Sequence, residues 1–480
     1  MKTLKKIYKL VLLLPLMLFN VSCGDDFLDL QPPLQVPNDD FLQTVDDFQA
    51  AILGAYDQMQ LADYYGRYFV LIPDVMGEDI KQNASANRGK EWAEYNGAPT
   101  TNQSEHREFW AEIYELINIA NQMINAEYEP FPDQQAEFNN LIGQAYAVRA
   151  LGHFDLVRLF AQTYTFTSDA SHPGIPIVTE FDPEARPARN TVAEVYTRII
   201  SDFEAAIPLL TIDPENAGTI SKEAAQALLS RVYLYMGEYE EAASLASEVI
   251  NSEKFTLVTR DAYASQFLDG NSSEAIFEII FNSVDNPGSD HLGGMYKKSG
   301  YGDYLPSRQL FALFEEGDIR ATLFSDDDNL DGGLYANAAG EGKRVNKFPS
   351  SGASINTDNV PVIRLSEVLL NRAEALAKTG EAAAALADLN QIRVRAGVAP
   401  LSGLSGQPLI DAILEERRRE LFAEGHRIFD ITRNQQNLVR TDCTSPTCEV
   451  SFPNDRFILP LPQEETDVNK NIQQAPGYGT

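Results

Sequence analysis

The strongest constraint on the fold is a helix–glycine–helix pattern that occurs twice, at 221–251 and at 366–396. In the first copy Ser221 stands where a helix cap is expected, Leu229, Ser230 and Tyr233 mark one helix, Gly237 turns the chain, and Tyr239, Ala242 and Ala246 mark the second. In the second copy Ala373, Leu376, Gly380, Ala385 and Leu389 fall at matching offsets. Small residues at this spacing let helices approach closely, and each pair then has a face that it buries only by stacking on another pair. Two further stretches show the three-four spacing of amphipathic helices. In 104–126 the stripe is Phe109, Ile113, Leu116, Ile117, Ala120 and Ile124; in 135–162 it runs through Leu141, Ala145, Val148, Leu151, Phe154 and Phe160.

The paired pattern resembles tetratricopeptide units, with generic helical hairpins as the alternative because the copies are not in strict tandem. Less clear units lie at 104–126 and 141–207. Between the helices, His172-Pro173-Gly174-Ile175-Pro176-Ile177 reads as an extended linker, since two prolines forbid a helix. Thr191 then opens a helix as a capping box with Glu194. Residues 252–361 break the pattern with dense Gly, Asn, Ser and Asp and short β-like runs such as 275–281. A second irregular stretch, 62–103, is rich in aromatic and amide residues, including Tyr64, Tyr65, Tyr68, Asn83, Asn87, Trp92, Tyr95 and Asn96. Irregular segments on a rigid scaffold are where binding groups concentrate.

The first 30 residues read as an address. Lys2, Lys5, Lys6 and Lys9 precede an apolar run from Leu10 to Phe19, which is too short to span a bilayer and has the size of a signal's hydrophobic region. Ser22-Cys23 and the acidic residues after it resemble a bacterial lipobox, which implies cleavage before Cys23 and its lipidation. An ordinary signal with an incidental cysteine is the alternative. Two or three acyl chains hold a protein on a membrane stably where one does not.

The formal charge is −32, and removal of the four signal lysines leaves 34 basic against 70 acidic residues. Affinity for nucleic acid comes from neutralising phosphates, so this polyanion is not a nucleic-acid binder. An anionic lipid surface repels it too, so the lipid must hold it while the body stands in solvent. Beyond Cys23 the cysteines are Cys443 and Cys448, in a Pro/Thr/Ser loop that reads as an outward-facing turn. In an oxidising compartment a local disulfide is expected there, and without a histidine pair nearby a zinc site is not.

Several segments resemble the SusD/RagB family of surface lipoproteins that serve nutrient uptake in Bacteroidetes-type bacteria. They are D-D-F-L-D at 25–29, A-Y-A-V-R-A-L-G-H-F-D-L-V-R-L-F at 145–160, G-I-P-I-V-T-E at 174–180, R-N-T-V-A-E-V-Y at 189–196 and A-A-Q-A-L-L-S-R-V-Y-L-Y-M-G at 224–237. Near the end come R-L-S-E-V-L-L-N-R-A-E-A at 364–375, E-E-R-R-R-E-L-F-A-E-G-H-R-I-F-D at 415–430, F-I-L-P-L-P-Q-E-E at 457–465 and N-I-Q-Q-A-P-G-Y at 471–478. They arrive in family order along nearly all of the chain. The resemblance implies a mainly α fold, with tetratricopeptide-like helix pairs forming a SusD-like scaffold and an irregular, loop-rich insert containing short β-strands. It also implies a lipid anchor on the outer leaflet of the outer membrane and, as partner, a SusC-like TonB-dependent β-barrel transporter over which the chain closes as a lid. The corresponding division is a signal peptide at 1–22, an N-terminal helical part at 23–251, the insert at 252–361 and a C-terminal helical part at 362–480, with 23–480 one compact unit.

No motif demands catalysis. The chain lacks H-E-x-x-H, G-x-x-x-x-G-K-[ST] and G-x-S-x-G patterns, and paired carboxylates in so acidic a chain do not single out a glycosidase. Asp327, Asn329 and Asp331 match the first half of a calcium loop, but Ala338 stands where the bidentate glutamate belongs, so a solvated acidic turn is the plainer reading. No cofactor is implied. The charges at 415–420 read as ion pairs on a helix surface, with Glu415 and Arg419 at i, i+4. His153 and Trp110 read as core residues, and His426 as a structural helix-end residue.

The binding candidates are aromatic. A sugar ring packs its C–H face on an aromatic face while amides and carboxylates bond its hydroxyls. Trp92, Tyr95, Asn96 and Asn83 form the first such set, and Tyr296, Tyr301 and Tyr304 the second. The functional expectation is capture of an oligosaccharide and its delivery to the transporter, with no bond broken. A peptide-binding lid of the RagB type, a purely structural lid and, more distantly, a cell-surface glycoside hydrolase are the alternatives.

Overall fold

The computed structural model describes residues 41–83, 92–270, 272–326, 342–349, 357–443 and 445–479. Cys23, the signal segment and the calcium candidates Asp327, Asn329 and Asp331 lie outside them. Residues 44–480 cluster as one unit.

The helices begin and end where local chemistry directs. In α1 (Val45–Gln60) Thr44 and Asp47 form a reciprocal capping box. After α2 (Tyr68–Met76), the three-residue strand β1 (Ile80–Gln82) and the four-residue helix α3 (Trp92–Tyr95) come α4 (Ser104–Asn125) and α5 (Gln135–Phe160). The predicted box at Thr191 and Glu194 opens α6 (Val192–Ala206). The first helix–glycine–helix copy is α7 (Lys222–Met236) and α8 (Tyr239–Asn251), capped by Ser221 and turned by Gly237 at φ 84°, a left-handed conformation that a side chain would strain.

Helix α5 is buried almost all round from Leu141 onward and packs on both α4 and α6. Its approach to α4 needs Gly152, where a Cβ would lie 3.0 Å from Ile117 Cγ1. Trp110 is in the core, stacked edge-on against Phe160. His153 is buried too: its Nδ1 lies 3.0 Å from the Arg149 carbonyl and its Nε2 accepts the Val178 N–H at 3.2 Å. That pair of contacts requires the neutral ring, and burial lowers its pKa to about 4.

The insert contributes β2 (Ala275–Ile279), α9 (Leu292–Tyr296), β3 (Tyr304–Pro306), β4 (Phe324–Asp326) and β5 (Lys343–Val345). Strand β6 (Val360–Arg364) returns the chain to the scaffold. The antiparallel pairs are β1 with β3, β2 with β6 and β4 with β5. The second helix pair, α10 (Leu365–Thr379) and α11 (Ala382–Ala396), packs with α12 (Gly406–Glu420) around Leu369, Ala373, Leu389, Ile392, Leu409 and Ile413. Helices α8 and α10 pack together, so the two copies stack. After α12 come α13 (Arg427–Arg433), opened by His426, a hairpin of β7 (Leu438–Val439) and β8 (Glu449–Val450), and a last short helix, α14 (Gln463–Val468).

The charged run at 415–420 is not the expected helix surface. Glu415 does pair with Arg419, but Glu416, Arg417, Arg419 and Glu420 are buried. Arg417 reaches Asp430 at 3.2 Å, and Glu420 accepts from Arg395 at 2.6 Å and Arg364 at 2.7 Å. The i, i+4 rule found a true pair and missed the partners that arrive from distant sequence.

The two copies are also tied by charge. Arg231 of α7 forks onto Glu367 of α10 with two bonds of 2.6 Å. Burial alone would raise the Glu367 pKa, but the Arg231 guanidinium overrides it and holds it at about 2. Arg231→Ala strands a buried carboxylate and is expected to cost about 3–5 kcal/mol, read by urea unfolding at pH 7. Because the folded pKa of Glu367 lies below its ordinary 4.5, the stability that it supplies is complete above that value and is lost as pH falls through about 2. Unfolding measured along an acid titration should show this loss in the wild type and lack it in Glu367→Gln.

Candidate functional site

The aromatic segment 62–103 and the insert meet through two short strands. β1 pairs with β3, and the pairing is extended by Asn83, whose N–H donates to Asp303 O at 2.7 Å. Its side-chain amide donates to Gly302 O at 2.9 Å. Arg344 donates to that same carbonyl at 3.2 Å and to Tyr296 O at 3.1 Å. The tight course of 293–302 needs small residues: Tyr301 N donates to Gly294 O at 2.7 Å, and Gly302 sits at φ 60°. His291 fixes the start of α9, accepting from Gly293 N at 2.9 Å, while its other ring nitrogen lies 2.9 Å from Asp358 O. Burial lowers the pKa of this imidazole to about 4.

Beside this junction lies an open cleft of about 580 Å³, lined by Lys297, Lys298, Ser299, Ser325, Asp326, Arg344 and Asn346 among others. Hydroxyl, amide, carboxylate and cationic groups share its walls with Val345 and Pro349, a mixture that can both bond hydroxyls and pack apolar faces. Lys297 pairs with the buried Asp358 at 3.3 Å, and burial lowers its pKa.

The predicted residues divide by burial. Tyr95 is buried with the Arg440 guanidinium 4.6 Å from its ring centre, so it offers no open face to a sugar ring. Tyr296 is buried with its ring parallel to that of Phe348 at 6.3 Å, and it packs rather than displays. Asn83 is buried and spends its amide on the 302 carbonyl. Tyr301 and Asn96 are partly exposed, and Trp92 begins α3, its side chain outside the described residues. Tyr64, Tyr65 and Tyr68 are buried as well, Tyr64 and Tyr65 donating to Asp155 at 2.6 and 2.9 Å. Aromatic richness in this stretch therefore serves the core as much as any surface.

Cys443 and Cys448 are joined by a disulfide. Their loop faces outward at Pro446, as expected, and is anchored at its base, where Asp442 is buried between Lys81 (2.5 Å) and Arg308 (backbone N, 2.8 Å). Sequence reasoning passed over Arg344 and Arg440, which donate to backbone carbonyls, and Asp442, which accepts from Lys81 and Arg308, since isolated residues with partners far along the chain leave no spacing signal. Among the described residues no cluster of three or more His, Cys, Asp or Glu could hold a metal, and no helix is long and apolar enough to cross a membrane.

A helical-repeat body thus carries an open cleft on an insert of short strands. Residues 335–478 match the SusD family model, and residues 26–234 match a model described as starch-binding associating with outer membrane. A Bacteroides vulgatus crystal structure, provisionally described as a sugar binding protein, is 34% identical with a TM-score of 0.83, over 91% of this chain and 99% of that one. A SusD superfamily protein from Bacteroides thetaiotaomicron is 29% identical with a TM-score of 0.83, over 90% and 100%. SusD-like protein P2 of Formosa agariphila is 29% identical over 98% of this chain and 99% of its own. The chain belongs to the SusD family, and its mainly α, tetratricopeptide-like architecture is that family's fold.

Because Tyr95 is a core ring, Tyr95→Ala is expected to lower the unfolding free energy by about 3–5 kcal/mol, as other buried aromatic truncations do. Tyr301→Ala at the partly exposed position should leave the urea midpoint nearly unchanged, which separates the two roles.

Proposed function

We propose that this chain is a nutrient-binding lipoprotein of the outer membrane, anchored through Cys23 and facing the cell exterior, that captures an oligosaccharide and passes it to a SusC-like TonB-dependent transporter as its lid. The match of residues 26–234 to an outer-membrane starch-binding model carries this reading. The cleft supports it physically. Ser299, Asn346, Asp326 and the cationic groups present donors and acceptors around an open basin, and the partly exposed Tyr301 is close by in sequence. Trp92 and Tyr301 are the stacking candidates, Asn96 a polar neighbour, and Tyr95, Tyr296 and Asn83 hold the surrounding backbone. The chain binds and hands over; it breaks no bond.

The test is calorimetric binding of wild type, Trp92→Ala and Tyr301→Ala to glycan and peptide panels. A glycan that binds wild type and loses about tenfold in affinity on either substitution, the scale of one aromatic contact with its buried area, supports the reading. Binding of peptides alone would replace it with a peptide-binding lid, and unchanged glycan affinity in both variants would move the site elsewhere. Cys23→Ala is expected to shift the chain out of the outer-membrane fraction, because the acyl anchor is what holds it there.

A further inference from the structure

One guanidinium reaches both ends of the candidate binding segment. Arg440, buried in the C-terminal hairpin, donates through Nη2 to Val75 O at 3.1 Å and Met76 O at 2.9 Å, and through Nε to Gly77 O at 2.8 Å. The first two are the last carbonyls of α2 and the third belongs to the residue that ends it, and such carbonyls have no partner within the helix. Its Nη1 donates to Tyr95 O, at the end of α3, and to Thr447 O at 3.2 Å, while its face lies over the Tyr95 ring. At the end of α2 the cation also meets the negative end of the helix dipole.

The same hairpin holds the other half of the site. Asp442 accepts from Lys81 of β1 at 2.5 Å, and from Arg308, just beyond β3, through the backbone N at 2.8 Å and the side chain at 3.1 Å. Thr441 donates to the Gln309 side chain through its backbone N at 2.6 Å and its hydroxyl at 2.8 Å. A hairpin of two-residue strands has little stability of its own. Here the Cys443–Cys448 bond closes the loop between Asp442 and Thr447, and Arg440 N donates to Cys448 O at 2.8 Å.

We propose that the disulfide-closed hairpin 438–450 is a positioning clamp for the ligand site, with Arg440 and Asp442 as positioning residues that fix segments 80–83, 92–97 and 304–309 relative to one another. The proposal rests on the reading of these segments as the surroundings of the glycan site. Opening the disulfide or removing either side chain frees those segments while the helix pairs stay folded.

The experiment compares the full chain in detergent with Arg440→Ala, Arg440→Lys, Asp442→Asn and Cys443→Ser/Cys448→Ser. Each is made in a Trp110→Phe background so that Trp92 is the single tryptophan. Two readouts are taken: amide exchange, and retardation in gels containing soluble starch, with maltoheptaose as competitor. Exchange at 80–83 and 95–97 should rise about tenfold or more in the alanine, asparagine and serine variants, the scale of one charge-assisted bond lost. Exchange in α5 and α10 should hold, and Arg440→Lys should restore part of the protection. Trp92 emission should shift in the same variants. If wild type is retarded by starch, the clamp variants should be retarded less.

Unchanged exchange and Trp92 emission would overturn the clamp whatever the ligand. Altered exchange with starch retardation equal to wild type would make the hairpin a structural strap and also overturn the proposal. Should starch not retard the wild type, the starch reading fails on its own, and exchange and emission decide the clamp.

Discussion

Glu420 is the point on which the assembly of this molecule depends. Its buried carboxylate accepts from Arg320 of the insert, Arg364 at the end of β6 and Arg395 of α11. A lone buried charge costs several kcal/mol, and removing one member of such a group leaves the others stranded. The cluster is therefore satisfied only when insert, strand and both late helices are in place together. Glu424 and Lys347 extend it, with Lys347 Nζ 2.5 Å from Glu424 and 3.0 Å from the carbonyls of Glu420 and Phe422. Burial draws the Lys347 pKa down to about 8 against the pull of Glu424. The insert is thus tied to the helical body through charge as well as through apolar packing.

The helical body was legible from the sequence because its signals are local. Gly237 and Gly380 end helices in the left-handed conformation, Thr191 and Glu194 cap reciprocally, and Ala373, Ala385 and Leu389 sit at the core-facing positions that their spacing implied. The site was less legible because its organisation is non-local. Tyr95 and Tyr296 look like any exposed tyrosine in a Gly- and Asn-rich stretch, yet Arg440, Phe348 and Arg344, from far along the chain, cover or fasten them. Composition described 62–103 as loop, whereas α2 and β1 are formed by contacts with residues 303–306 and 425–440. The charge run at 415–420 shows the same limit, its periodicity being correct and its environment set by partners outside the window.

The residues around the cleft and the strand junction are consequently of two kinds. Asn83, His291, Arg344 and Asp442 spend their polar groups on backbone atoms or on other buried groups, and shape the basin. Lys298 and Ser299 line it. Rigid support beneath a variable rim is the arrangement that keeps a binding constellation in place while its surface groups meet the ligand.

Arg440 bonds to carbonyl oxygens at 75, 76, 77, 95 and 447, so its hydrogen bonds to the segments beside it fall on peptide groups. A grip on the main chain is indifferent to which residues are written along it. The attachment of these segments to the body is written in peptide groups, and their side chains are left to other tasks.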